Sequence, residues 1–377
     1  MAEPSDISPA AAAAAPAAED RRFPVAWVAS AETFKRFAPI LVPLAVGLVD
    51  EVTDVTVFCP ESADARELEG VPFDVVRYED VRWWQRSRGA IEGLLAELRK
   101  RKVELLHALD GAAVKLTRRL ARAAGLPYLV SSYCAGDAAA VGEWASDASY
   151  VLAASEPIVE TFRARAWSAD RVRLMRPGVH HVQRPTCFNE PGHSVAIVAG
   201  GPLAAQSAFR TVLECFAELA GRKYDCVFFV IGSGPGEHWH RVQAERLGLG
   251  GVLTFAACRP IGQLTGILKA ADVYVAPVTQ NCIDVRSLLA IAAGVPVLAA
   301  GGSGVSDFLR DGTTAMTFSP GAVGELTVKL TALLDDREAA GQLAAGALEY
   351  VHEHHSPANN VTGLAHFYRQ AVEGAAG

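Results

Sequence analysis

The chain has 377 residues, half of them hydrophobic and 20% charged, with a formal net charge of −7. That length exceeds one ordinary hydrophobic core and predicts two domains. The overall acidity argues against generic nucleic-acid binding, so no nucleic-acid partner is expected.

Residues 1–22 are Ala/Pro-rich and acidic without periodicity, which reads as a disordered arm. They lack the leading cations and the Leu-type apolar stretch of a signal peptide. The longest strongly apolar run, 37–49, contains Pro39 and Pro43 and is too short to cross a bilayer. Seven cysteines are scattered with no CxxC pair, a pattern that predicts reduced core thiols in a cytoplasmic protein.

From Phe23 strands and helices alternate. Strands are predicted at 24–30, 54–59, 73–77, 103–108, 127–132 and 150–154. Helices fall between them at 34–49, 88–101, 113–124 and 156–164, the pattern of a parallel sheet covered on both faces. Between Arg82 and Arg122 lie eleven Lys/Arg and four Asp/Glu, leaving −14 for the remainder. With Trp83 and Trp84 beside it, this segment is a candidate for weak contact with an anionic membrane surface, peripheral on its inner face. A solvated helix with cations at its C-terminal end explains the same run without lipid.

Arg176-Pro177-Gly178-Val179 opens a polar stretch that reaches Pro191-Gly192, and the interdomain linker is placed there. The alternation then restarts, with strands at 195–199, 226–231, 252–256, 273–276, 295–299 and 315–318. Helices are predicted near 204–220, 237–247, 261–269, 285–293 and 321–334, and helical stretches at 337–351 and 357–372 close the chain. The domains are therefore drawn at 23–190 and 193–356, with 357–377 returning as a helix to the first.

The most informative piece is 271–299, a buried strand, a loop, a helix and a Gly294-Val295-Pro296 turn into another apolar strand. In open α/β sheets ligands sit at the carboxyl ends of strands, so the loop 277–283 and the helix start face one. Upstream, Gly232-Ser233-Gly234-Pro235-Gly236 follows a strand as a tight turn. It lacks the G-x-G-x-x-G spacing and the downstream acid of a dinucleotide fingerprint. The histidines at 180–181 and 352–355 show no metal-ligand spacing, and no nucleophile elbow is present.

These pieces occur in one order: the G-x-G-P turn, Leu247-Gly248-Leu249 before a strand, A-D-V-x-V-x-P, the helix and G-V-P-V, then Asp307 and Asp311-Gly312. In that order the sequence resembles the GT4 (group 1) family of glycosyltransferases. Glu104-Leu105-Leu106-His107, Ser155 and Arg176–Val179 are similar to family segments of the first half. The resemblance implies the α/β GT-B fold, two Rossmann-like parallel-sheet domains facing a cleft. It also implies a retaining transfer from a nucleotide sugar of UDP, GDP or ADP type to an unknown acceptor, with neither metal nor cofactor.

By the same resemblance His107 and Asn281 are the catalytic candidates. Gly201, Gly232, Gly234, Phe255, Cys258, Arg259, Cys282, Asp284, Arg286, Gly302 and Gly304 would surround the donor. A buried structural role is the competing reading of His107. Two family glutamates are Asn281 and Leu289 here, and two family cations are Gly201 and Gln206. Since a charge-assisted hydrogen bond contributes roughly 1.5–3 kcal/mol, millimolar donor affinity is expected. The same losses leave two alternatives beside the transferase, a catalytically inactive GT-B scaffold and a nucleotide-sugar epimerase.

Overall fold

The structure is a computed structural model, described for residues 22–63, 73–79, 88–189, 192–204, 206–257, 261–301 and 304–376. The expected arm, apart from Arg22, and Trp83, Trp84, Cys258, Arg259 and Gly302 lie outside the described residues.

The first domain runs β1 (Phe23–Val28), α1 (Thr33–Asp50), β2 (Thr53–Pro60), β3 (Asp74–Tyr78), α2 (Arg88–Lys100), β4 (Leu105–Ala108), α3 (Val114–Ala124), β5 (Tyr128–Ser132), α4 (Asp137–Trp144), β6 (Tyr150–Ala153), α5 (Glu156–Arg163) and β7 (Val172–Leu174). Its strands order as β3-β2-β1-β4-β5-β6-β7, all parallel. Parallel strands covered on both faces need no alternation, which is why Ala26, Trp27 and Val28 in β1 and all of β4 are buried. Helix α3 shows the complementary pattern. Val114, Thr117, Leu120 and Ala121 face the core, and the helix stops at Gly125, left-handed at φ 69°.

The second domain runs β8 (Val195–Gly200), α6 (Gln206–Gly221), β9 (Cys226–Ile231), α7 (Glu237–Arg246), β10 (Leu253–Ala256), α8 (Ile261–Lys269), β11 (Val273–Ala276), α9 (Val285–Ala292), β12 (Val297–Ala300), β13 (Met316–Phe318), α10 (Val323–Asp335) and α11 (Arg337–His354). Its sheet is again parallel, in the order β10-β9-β8-β11-β12-β13. The order reverses between β8 and β11, and such a switch point opens a crevice at the carboxyl ends of the strands.

The last helix, α12 (Pro357–Ala376), packs on α1, β4 and β5 of the first domain. Gly47 permits the approach, since a Cβ there would meet Val361 Cγ2 at 2.6 Å. Tyr368 of α12 is fully buried, and its hydroxyl accepts from Trp27 Nε1 at 2.7 Å.

The chain leaves the first domain at Arg176–Val179 and returns at His355–Pro357, and the two crossings touch. Val179 donates its amide to the His355 carbonyl at 3.0 Å, and His355 Nδ1 bonds the Pro177 carbonyl at 2.8 Å. Gly178 leaves room for this, because a Cβ would lie 2.6 Å from Pro357 Cα. The segment that follows is held by the second domain. Val182 N donates to Ala292 O at 2.9 Å, and Thr186 Oγ1 to Ala293 O at 2.7 Å.

Candidate functional site

A cavity of about 390 Å³ opens between the domains at the switch point of the second sheet. From the first domain it is lined by Glu32 and the start of α1, including Lys35, Arg36 and Phe37. From the second come Pro202 and Ala204 after β8, the turn 231–235 after β9, Ala257, and Gln280 with residues 283–286 before and in α9. Four βα connections of one sheet thus meet the first helix of the other domain.

The glycine turn is shaped by backbone against backbone. A Cβ on Gly234 would sit 2.9 Å from the Leu203 carbonyl carbon, and Gly232 faces the Gly201 carbonyl oxygen still more closely. At φ +154° and +159° both residues adopt conformations that L side chains rarely take. These glycines are therefore required by the β8–α6 loop whether or not a ligand is bound. Gly201 is buried behind the turn.

Asp284 lines the cavity, but its carboxylate caps α9. It accepts from the amides of Arg286 (3.2 Å) and Ser287 (3.4 Å) and from Ser287 Oγ (2.6 Å). Asn281 is exposed, and its carbonyl accepts the Ala135 amide of the other domain at 2.8 Å. Leu289, expected from the sequence to stand in the place of a family acid, packs against the apolar core. Asp307 is committed to the domain crossing, ion-paired with Arg176 at 2.8 Å and accepting the Glu156 amide at 3.2 Å.

Two expectations are corrected. His107 does not line the cavity. It is fully buried, with Nδ1 2.7 Å from Tyr368 Oη and Nε2 2.9 Å from Ser131 Oγ, and burial lowers its pKa to about 3, so the imidazole is neutral. Trp27 donates to Tyr368, so the assignment that satisfies every group has Tyr368 donating to Nδ1 and His107 donating from Nε2. The cysteines are not all reduced thiols either, since Cys134 and Cys282 form a disulfide between the domains across 148 residues of sequence. The loops carrying them run antiparallel, with Ile283 N donating to Tyr133 O at 2.9 Å, and this pairing brings the two side chains together. Cys59, Cys187, Cys215 and Cys226 are buried and outside that disulfide.

Of the other expected donor residues, Gly232, Gly234, Asp284 and Arg286 line the cavity. Phe255 is half-buried at the sheet edge under the Arg241 guanidinium, 4.8 Å from its ring centre, and does not reach the lining. Gly304, at φ +51°, packs beside the Gln280 carbonyl. Lys35 and Arg36 of α1 also line the cavity and were not among the residues expected from the sequence. A signal existed, because Lys35 and Arg36 sit near a helix N-terminus with no acid in the first turn, against the helix dipole.

In the basic segment, Arg118 and Arg122 both pair with Asp147, and Arg101 pairs with Asp74 and Glu97. Among the described residues no helix is long and apolar enough to cross a membrane, and no cluster of His, Cys, Asp or Glu could hold a metal ion.

Residues 194–336 match the family of glycosyl transferases group 1. The chain is 26% identical over 272 residues, 72% of its length, to 2-deoxystreptamine glucosyltransferase of Streptomyces kanamyceticus, covering 64% of that protein. It is 27% identical over 212 residues to D-inositol 3-phosphate glycosyltransferase of Nocardia farcinica, where 54% of this chain covers 46% of that protein. The chain thus spans less than two thirds of these relatives. Among solved structures, HepE of Anabaena in complex with UDP-glucose superposes with a TM-score of 0.74 at 14% identity, covering 93% of this chain and all of that one. Sucrose-phosphate synthase of Thermosynechococcus elongatus gives 0.74 at 16% identity, over 94% of this chain and all of that one. The fold is GT-B, and the chain resembles the group 1 glycosyltransferases.

Proposed function

We infer that this chain is a glycosyltransferase of the group 1 type, retaining in stereochemistry, that takes a nucleotide sugar in the cavity between α1 and α9. The observation that carries the reading is the cavity's position. It lies at the carboxyl ends of β8, β9 and β11, where the strand order of the second sheet reverses. The match over residues 194–336 supports it, as does a structural neighbour solved with UDP-glucose.

Glycosyl transfer needs positive charge aimed at the departing diphosphate and hydrogen bonds that orient the sugar. Cationic side chains among the cavity lining can supply the first. The Asn281 amide, next to Gln280 of the lining, can donate and accept and would meet a sugar hydroxyl by turning inward, whereas Leu289 offers none. A second reading, a nucleotide-binding scaffold without turnover, draws on Leu289, which packs into the core where the family acid would stand.

A thermal-shift screen against UDP, GDP, ADP and their sugars tests the first step. One nucleotide class should raise the melting temperature. No shift with any of them at millimolar concentration would sink the donor-site reading. Release of free nucleotide from the preferred donor, rising with an added acceptor, separates transferase from scaffold. On the acceptor side, exposed Arg99, Lys102 and Arg119 make the basic segment the part that would contact an anionic membrane surface. Co-sedimentation with anionic vesicles at low salt checks that, and its absence would remove the membrane from the proposal.

A further inference from the structure

We propose that Lys35, Arg36 and Arg286 together grip the diphosphate of the nucleotide ligand, replacing from both sides of the cleft the charge missing at Gly201 and Gln206. The proposal rests on the donor-site reading and adds which residues neutralise the phosphates.

All three cations line the same cavity, two from the first domain and one from the second. Each also breaks a local rule. Lys35 and Arg36 lie near the start of α1 and Arg286 in the first turn of α9, helices whose acids at that end are the N-caps Glu32 and Asp284, with none in the first turn itself. Cations there oppose the positive end of each helix and cost stability unless something negative sits nearby.

Little on the protein answers that charge. Lys35 pairs with Glu32 at 3.2 Å, but both side chains are exposed, and such pairs contribute little. The Arg36 guanidinium lies 5.3 Å from the centre of the Phe37 ring, an aromatic and not an acidic neighbour. The Asp284 carboxylate is engaged with the α9 cap and Ser287. Among the described residues no carboxylate forms an ion pair with Arg36 or Arg286.

A nucleoside diphosphate fits this vacancy of negative charge. It carries two to three charges on a compact group, presents oxygens that guanidinium forks match, and would be held by both domains at once.

The test is calorimetry of the full chain with UDP, GDP and ADP and with uridine, guanosine and adenosine. It is repeated for Lys35→Ala, Arg36→Ala and Arg286→Ala, each checked for a ligand-free melting temperature no lower than that of the wild type. The wild type should prefer the diphosphate over its nucleoside. Each arginine variant should lose roughly tenfold in diphosphate affinity, from the loss of a charge-assisted bond, while nucleoside affinity stays as it was. The Lys35 variant should lose less, and all losses should shrink at high salt. If the wild type binds a diphosphate and the variants bind it equally well, the proposal is overturned and the donor site stands. If the wild type binds none of the three diphosphates, the donor-site reading falls and takes this one with it.

Discussion

The hydroxyl of Tyr368, on the last helix, lies 2.7 Å from Nδ1 of His107, on the fourth strand and 261 residues away in sequence. Trp27 donates to the same hydroxyl from β1, so one phenol oxygen joins the two ends of the chain. Tyr368→Phe should orphan the buried Trp27 N–H and the His107 nitrogen. It should cost about 2 kcal/mol or more, since each unsatisfied buried group costs about 1–3 kcal/mol. Urea unfolding followed by tryptophan fluorescence reads this directly, and an unchanged midpoint would contradict it. The remaining folded protein should keep its ligand affinity, because neither residue lines the cavity.

Acidification should destabilise the protein. Burial lowers His107 to about 3, and burial, partly opposed by the Pro177 carbonyl bond, lowers His355 to about 4. Their stabilising contribution is complete above the unfolded value near 6.5 and drains away as pH falls towards the folded values. Asp137 works the other way, since burial raises it to about 6, and the folded state takes up that proton first. Between pH 6 and 4 the unfolded chain therefore binds about one more proton net. Stability should fall by about 1.4 kcal/mol per pH unit, and by about twice that in Asp137→Asn. A urea midpoint that is flat or rises on acidification would refute the assignment.

Reducing the Cys134–Cys282 bridge should lower stability by about 2–5 kcal/mol, because it releases a long closed loop in the unfolded chain. Differential scanning calorimetry with and without dithiothreitol measures the shift. Cys282→Ser should abolish the response to reductant while showing the lower melting temperature throughout. A wild type indifferent to reductant under conditions that expose all thiols to labelling would exclude the bridge.

Two left-handed glycines separate strain from crowding. Gly294 sits at φ +76° with its hypothetical Cβ 2.7 Å from Pro185 Cα, whereas Gly312 sits at φ +71° with no atom within 4 Å. Gly312→Ala should cost about 1 kcal/mol, the left-handed penalty alone. Gly294→Ala should cost about 2–4 kcal/mol, because the linker must also move. Equal losses in chemical denaturation would mean that the linker gives way freely.

Restoring the acids in Asn281→Glu with Leu289→Glu should tighten sugar-nucleotide binding by roughly tenfold relative to the wild type, with no gain for the free diphosphate. Isothermal titration with the preferred donor decides it. Weaker binding with an intact fold would mean that the pocket has been rebuilt around Leu289.

Most of the architecture was legible because the buried strands are continuous apolar runs and their helices carry one polar face, signals that live within a dozen residues. Helix α4 escaped because DAAAVGEW buries only Ala138 and Val141 and shows no stripe. β7, three residues long, carries too little pattern to register. The glycine turn and the loop before α9 could be read as a site from their place after strands. The roles of His107, Asp307 and Cys282 could not, since each is decided by a partner more than a hundred residues away. Lys35 and Arg36 were hidden differently, inside a helix whose apolar face dominates its pattern.

Two bodies joined at a single hinge can bend and twist freely, but these two are covalently joined at two places. One is the pair of chain crossings at 176–179 and 355–357, and the other is the Cys134–Cys282 bridge beside the loop before α9. A second anchor removes two of the three rotations, leaving a swing about the line through both. While the bridge is intact, the lip formed by α1 can approach or leave α9 only along the arc of that swing. Breaking it restores the other two directions without altering a residue of the cavity, so the oxidised and reduced proteins should differ in how fast a ligand enters and leaves more than in what they bind.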